Sequence, residues 1–433
     1  MKTRESLYLS QGLDYYKATM GQVEFDKNRD TIVTFELKNR GANKLSEYVT
    51  PEQLLARLDK LKDGWTPEEI AYLAGLTNQD GGPRFTAEYL DFLVDNPLPP
   101  VEVGIDEEGE LGVATTGAWP LVTFWETVVM SELNELFFAN KLAAEGSSLE
   151  ELYAEGDRRL AEKIAILKNR LDIKFSDFGT RRRFSYDWQR HVIERIATEL
   201  PDNFMGTSNI FLAHELGLRP IGTYAHEMPM VYGALEQMKG NDPLDGHHTM
   251  LRDWDETHRG DLSTALTDTW TTDYFFTDFT PEQAEAWNGL RHDSGDPFEF
   301  GEKVIAFYEQ HDIDPTAHTI VYSDGLDIDM IVALADRFKD RVKLVFGWGT
   351  TLTNDLGVRA NNFVMKATKV ARPEAPEVSQ CTVKLSDTEG KHMGNPEDVE
   401  LYTRNVARAI ALGARAYQLD VAERTETQEL VAA

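Results

Sequence analysis

Through the middle of the chain, short apolar runs of strand length alternate with longer stretches of helical spacing. The runs stop abruptly in small and charged residues at 173–181, 221–227, 290–296, 320–325 and 344–351. Between them, Leu152, Leu160, Ile164, Leu167 and Leu171 recur on one helical face, as do Ile328, Ile331, Val332, Ala335 and Phe338. Helix starts are marked by Ser148 with Glu151 three residues on, by Thr280-Pro281-Glu282-Gln283, and by Asp296-Pro297-Phe298-Glu299, which leads through Val304, Ile305 and Tyr308. Strand and helix in alternation predict a parallel βα architecture. In a parallel sheet closed into a barrel all strands finish on one face, so five such endings predict one site.

The two ends of the chain read differently. Val33, Phe35 and Leu37 alternate as in a strand, and so do Val101, Val103 and Ile105, which lead through a hairpin-like turn at 106–109 into a further alternating segment. Helical text follows over about 126–144 and breaks at Gly146-Ser147-Ser148. After Thr351, strands are predicted at 363–366 and 381–385, separated by the proline-bearing 371–376, then a helix over about 396–412 and a polar tail. The organisation expected is an N-terminal α+β domain (1–135), an α/β barrel domain (136–358) and a C-terminal segment (359–433).

Composition narrows the function. With 44 Lys and Arg against 74 Asp and Glu, the formal charge is −30, which repels nucleic acid and anionic lipid, and no basic stripe of useful length offsets it. A site for an anionic small molecule must therefore override the global field locally, which singles out Arg181-Arg182-Arg183 directly after a strand ending. A single cysteine, Cys381, excludes an intrachain disulfide and a Cys-rich zinc site and suits a reducing compartment. The first residues carry no apolar signal region, and no stretch reaches membrane-spanning length; a cytoplasmic protein is expected.

Several endings carry chemistry. In Gly347-Trp348-Gly349-Thr350-Thr351 two glycines let successive N–H groups converge as an anion nest, although neither a P-loop nor a dinucleotide fingerprint is present. Asp293 and Asp324 sit where strands should end and can grip ribose hydroxyls or share a magnesium ion with phosphate oxygens. Asp296 is more simply a helix N-cap, and Asp327 and Asp329 first-turn acids. His226 ends the 221–225 run; a neutral imidazole there can carry a phosphoryl group if a carboxylate fixes its tautomer, and Asp268 is the candidate. Glu227 should point the other way. His247, His248 and His258 fit no usual ligand spacing and are expected in a polar loop. Tyr16 and Phe178 are core aromatics by default, or a pair sandwiching a flat heterocycle.

Taken in order, the motifs Asp177-Phe178-Gly179-Thr180-Arg181-Arg182-Arg183-Phe184, Gly206-Thr207-Ser208-Asn209, Gly222-Thr223-Tyr224-Ala225-His226-Glu227, Arg291-His292-Asp293-Ser294-Gly295-Asp296 and Lys384-Leu385-Ser386-Asp387 resemble the nicotinate phosphoribosyltransferase family. The resemblance runs from Asp14 to about Gly394. It implies a type II phosphoribosyltransferase fold: an irregular α/β barrel with an open-sandwich domain built from both ends of the chain.

The same resemblance implies transfer of ribose 5-phosphate from phosphoribosyl pyrophosphate to nicotinate, coupled to ATP hydrolysis, with Mg2+, in a homodimer that shares its active site between subunits. By carry-over, His226 is transiently phosphorylated, with Asp268 and Asp293 beside it. Tyr16 (expected from a partner subunit) and Phe178 stack on the pyridine ring, and Ser208, Thr223 and Arg291 hold nicotinate. Arg181, Asp293, Asp324, Gly349 and Thr350 hold the phosphoribosyl group. Where nicotinamide-using relatives carry an aspartate after the Gly-Thr pair, this chain has Ser208, removing a charge that would repel a carboxylate. Trp348 departs from the smaller aliphatic residue expected in that loop. Quinolinate-using relatives do not depend on a phosphorylated histidine, and the segment around His226 speaks against them.

Overall fold

The structure, a computed structural model, describes residues 7–388 and 390–413. The first six residues and the polar tail beyond 413, both read above, lie outside them. Two sheets organise the chain. One comprises β1 (Ile32–Asn39), β2 (Val101–Ile105), β3 (Leu111–Ala118), β10 (Phe363–Arg372) and β11 (Ala375–Cys381) in the order β11-β10-β1-β3-β2. All its ladders are antiparallel. Val33 and Phe35 are fully buried, as the alternation predicts, and β1 pairs with β10, so the sheet is built from both ends of the chain.

The second sheet comprises β4 (Phe175–Asp177), β5 (Phe204–Thr207), β6 (Thr264–Leu266), β7 (Gly289–His292), β8 (Thr319–Tyr322) and β9 (Lys343–Trp348) in the order β5-β4-β9-β8-β7-β6. Every ladder in it is parallel. The expected closed barrel is not present as a hydrogen-bonded cylinder: β5 and β6 are both edges. Between them runs an extended segment at 219–225. Its Ile221 N–H donates to the Thr207 carbonyl on one side, and its Tyr224 hydroxyl accepts from the Leu266 N–H on the other. That segment is the run predicted as a strand at 221–227. It makes one parallel bridge, Thr207 to Pro220, and no ladder.

Helix signals hold at most sites. Asp296 accepts from the Phe298 and Glu299 N–H groups, Asp327 from Met330, and Thr280 with Gln283 closes a full capping box. Ser148 accepts from Glu151 N–H, the forward half of the box. The helix read at 126–144 spans Trp125–Glu145 and ends on Gly146 in the left-handed region. Two expectations are corrected. His247, His248 and His258 lie in the helix Asp245–His258, not in a loop; His247 bonds Asp278 and His258 the Thr19 carbonyl, so packing explains those two, and His248 is exposed. The 371–376 segment does not separate two distant strands but holds the tight turn of the β10–β11 hairpin; Pro376 is tolerated on the sheet edge, and 382–385 is not strand. A helix does cover 396–413. No helix among the described residues is long and apolar enough to cross a membrane.

Candidate active site

The C-terminal ends of β4, β7, β8 and β9, the 219–225 segment and the start of the helix Tyr15–Asn28 surround a cavity of about 430 Å³. Of the residues singled out in the sequence, Tyr16, Phe178, Arg181, Ser208, His226, Arg291, Asp293, Asp324, Gly349 and Thr350 all line it. Two do not. Asp268 is buried directly behind His226. Thr223 is not among the lining residues; its backbone carbonyl accepts from the Thr19 hydroxyl, while its neighbours Gly222 and Ala225 reach the cavity.

His226 stands at the start of the helix Glu227–Met238 and is almost fully buried. Its Nε2 lies 2.8 Å from Asp268 Oδ1, 3.7 Å from Asp293 Oδ2 and 2.9 Å from Lys384 Nζ. Asp268 is in turn held by Ser294 Oγ (2.6 Å) and Lys384 Nζ (2.9 Å). Burial first, and Lys384 second, lower the His226 pKa to about 4 against the pull of Asp268, so the ring is neutral at physiological pH. Burial opposes ionisation of Asp268, but His226 and Lys384 outweigh it and hold the carboxyl well below the usual range. His226, Asp268 and Asp293 are close enough to hold a metal ion, but the Lys384 ammonium already serves Asp268 as counter-charge and lies within hydrogen-bond distance of His226. Lys384 belongs to a quoted motif, yet no spacing rule links residue 384 to residue 226; only the fold does.

Glu227 does point away. It accepts from Trp119 Nε1 (2.6 Å) and Thr123 Oγ1 (2.8 Å) and pairs with buried Lys17. Lys17 also pairs with Glu126 (2.6 Å), which Lys366 (3.2 Å) and Arg181 (3.9 Å) approach from the cavity side. This buried ionic floor was invisible in the sequence, because its members come from five separate elements without periodic spacing.

The run of three arginines divides. Arg181 and Arg182 line the cavity, whereas Arg183 is buried and donates to the Gln11 carbonyl. Burial, and then Arg181 beside it, depress the Arg182 pKa to about 10. The loop is shaped by Asp177, whose carboxylate accepts from Gly179 N–H, Thr207 Oγ1 and Gln189 Nε2.

Opposite, Phe178 rests against Gly347: a Cβ there would meet the ring at 2.4 Å, so glycine is required for close approach. Gly349 precedes the short helix Thr350–Thr353, whose first N–H groups have no partner inside it. Trp348 does not disturb this turn. It is buried against Phe175, and its Nε1 donates to Thr351 Oγ1 (2.6 Å), while Lys163 Nζ donates to the Thr351 carbonyl (2.5 Å) and pairs with Asp355.

Tyr16 lines the cavity of its own chain. The Tyr15 N–H bonds the Ser208 carbonyl, and Gly222 packs against the Tyr16 backbone, fixing the helix start within one chain. The Tyr16 hydroxyl is buried without a hydrogen-bond partner among the described residues, and Arg181 lies 5.9 Å from its ring. Asp14, unremarked in the sequence, is the residue that Ser208 meets: Ser208 Oγ donates to Asp14 Oδ1 at 2.6 Å.

Two family models match the chain: the nicotinate phosphoribosyltransferase (NAPRTase) N-terminal domain over residues 13–134 and the nicotinate phosphoribosyltransferase (NAPRTase) family over 173–409. Among similar curated proteins, the nicotinate phosphoribosyltransferase of Chromobacterium violaceum is 36% identical over 411 residues, covering 92% of this chain and 96% of that one. Its counterpart in Neisseria meningitidis is 38% identical over 406 residues, covering 91% and 95%. The crystal structure of nicotinate phosphoribosyltransferase from Porphyromonas gingivalis superposes with a TM-score of 0.82 at 31% identity, covering 93% of this chain and all of that one. The corresponding Vibrio cholerae structure gives 0.80 at 31%, covering 96% and 98%. With the cavity assembled from the very motifs that these matches span, the chain belongs to the nicotinate phosphoribosyltransferase family.

Proposed function

We propose that the chain transfers the phosphoribosyl group of phosphoribosyl pyrophosphate to nicotinate, giving nicotinate mononucleotide and pyrophosphate, and that turnover is coupled to ATP through phosphorylation of His226. The observation that carries this reading is the convergence of an aromatic pocket, arginines from two separate elements, four carboxylates and a backbone nest on one cavity in a member of this family. The pyridine nitrogen attacks the anomeric carbon as the bond to pyrophosphate breaks. The ribosyl carbon passes through an oxocarbenium-like state, as in other glycosyl transfers. Pyrophosphate needs no acid to leave, so the protein's work is to position two anions and balance their charge.

In this scheme Tyr16 and Phe178 flank the ring, and Arg291, whose Nη1 bonds the Tyr224 carbonyl and whose buried Nε has no partner, faces the nicotinate carboxylate. Arg181 and the Gly349–Thr350 turn take the ribose 5-phosphate, and Asp293 and Asp324 the ribose. The same two carboxylates offer oxygen donors of the kind that fit Mg2+, which would neutralise pyrophosphate oxygens.

His226 is a neutral nucleophile toward the γ-phosphate of ATP: a nitrogen–phosphorus bond forms as the phosphorus–oxygen bond to ADP breaks. With Nε2 engaged by Asp268, Nδ1 is the nitrogen left for that attack. A phosphoryl group at the start of the Glu227–Met238 helix gains from the helix dipole. We read the six-stranded sheet and the 219–225 segment together as an irregular barrel, and the protein as a cytoplasmic homodimer.

The test is a nicotinate-versus-nicotinamide assay with and without ATP, together with incubation in γ-labelled ATP. Nicotinate mononucleotide formation accelerated by ATP, and an acid-labile, base-stable label lost in His226→Asn, are the expected results. Equal rates with and without ATP and no label would remove the phosphohistidine.

A further inference from the structure

A carboxylate in a pocket meant for an anion is a problem that Ser208 by itself does not solve. The serine removes one negative charge from its own position, but Asp14 supplies another, fully buried and lining the same cavity. We propose that Asp14 and Ser208 form one specificity element: the serine hydroxyl masks the Asp14 carboxylate, and this masking, rather than the mere absence of an acid at 208, lets the pocket take an aromatic acid and refuse its amide. The pair's role rests on the proposed nicotinate chemistry.

Three observations carry the inference. First, both Asp14 oxygens are occupied from within the chain. Oδ1 accepts from Ser208 Oγ at 2.6 Å, and Oδ2 lies 3.5 Å from Arg181 Nε. Second, the backbone holds the two residues face to face, independently of their side chains. Asp14 and Asn209 form an antiparallel bridge, Tyr15 N–H donates to the Ser208 carbonyl at 2.6 Å, and Ile210 N–H to the Leu13 carbonyl. Removing the hydroxyl therefore leaves Asp14 where it is. Third, Tyr16, two residues on, forms part of the cavity wall, so the carboxylate lies at the ring pocket. Burial, opposed by Arg181 and Ser208, also raises the Asp14 pKa, so an unmasked carboxylate would be the more costly to keep charged.

Masking explains the choice in both directions. An amide offers two N–H donors and needs a free acceptor; a carboxylate offers only acceptors and is repelled by a free one. With Oδ1 engaged by a hydrogen-bond donor fixed in place, the Asp14 carboxylate has less acceptor capacity to offer an amide and a muted charge against an acid. Ser208→Ala uncovers Oδ1.

The experiment compares kcat/KM for nicotinamide and nicotinate in the wild type, Ser208→Ala, Asp14→Asn and the double variant. A hydrogen bond to a charged group is worth about tenfold or more in such a ratio, so Ser208→Ala is expected to raise the nicotinamide-to-nicotinate ratio by about tenfold. Asp14→Asn leaves no charge to mask; its ratio stays near the wild-type value, and adding Ser208→Ala to it gives no further rise. A Ser208→Ala ratio equal to the wild type, or the same rise with and without Asp14, overturns the inference. Should Ser208→Ala not fold, Ser208→Cys, a weak donor, takes its place with a smaller rise in the same direction; no rise there overturns it equally. A wild type that makes no nicotinate mononucleotide at all refutes the proposed activity instead, and is recognised before any variant is compared.

Discussion

His226 shows how one residue can be both buried and reactive. Its environment keeps the imidazole neutral, which nucleophilic attack on phosphorus requires, and the same shift links it to stability. Its native pKa of about 4 lies below the ordinary 6.5, as does that of His258, at about 3, where burial is again the chief cause. Between those values the unfolded chain binds protons that the native chain does not. Stability is thus complete above pH 6.5 and falls as pH drops toward 4, by up to about 1.4 kcal/mol per pH unit for each histidine. Urea unfolding of the unliganded protein across this range is expected to show that slope, and His226→Asn to make it shallower. At the neighbouring wall, Ser208→Asp sets a second carboxylate against Asp14 and should cut kcat/KM for nicotinate sharply; unchanged kinetics would refute the carboxylate-facing role given to residue 208. Lys384→Met removes a positive neighbour from His226, so the imidazole should titrate at higher pH; a histidine NMR titration of the variant checks the direction.

At the scale of elements, the turn after β9 is where sequence and structure can be weighed against each other. Two glycines and two threonines after an apolar strand announced the nest, and Trp348 looked like a fault in it. The indole proves to brace the turn from below through Thr351, with Lys163 holding the Thr351 carbonyl from the helix Leu149–Leu167. Lys163→Met leaves that turn without its tether and should raise KM for phosphoribosyl pyrophosphate by about tenfold with little change in KM for nicotinate, a split that steady-state kinetics reads directly. The strand endings were legible because each joins a short apolar run to chemistry at its tip. What was not legible depended on long-range pairing: Asp14 opposite Ser208, Lys384 beside His226, and Lys17 beneath the cavity follow no local period. The 219–225 run was misread for a related reason. It is apolar enough for a strand, but it lies across a gap in the sheet, and beyond one bridge to β5 its hydrogen bonds go to a helix and to side chains.

Over the whole molecule, a charge of −30 surrounds a cavity that collects Arg181, Arg182, Arg291 and Lys366. Self-repulsion of the acidic surface is screened by salt, whereas the buried pairs around Lys17 are screened much less. The thermal midpoint should therefore rise as salt is added from about 0.01 M to about 0.5 M; a flat or falling midpoint in a calorimetric scan would contradict it. The division into antiparallel ends and a parallel centre was readable from texture alone, but which strands become neighbours was not, since pairing partners lie far apart in the sequence.

The pairing of β1 with β10 carries a consequence for how the protein comes into being. During synthesis the N-terminal strand emerges first and waits, with one edge unsatisfied, until almost the entire polypeptide has been made. A chain halted before Phe363 would hold every residue of the proposed pocket except Lys366 and Lys384, yet it would lack the strand that seals that edge. Premature stops near the end should thus yield insoluble protein rather than a weakened enzyme.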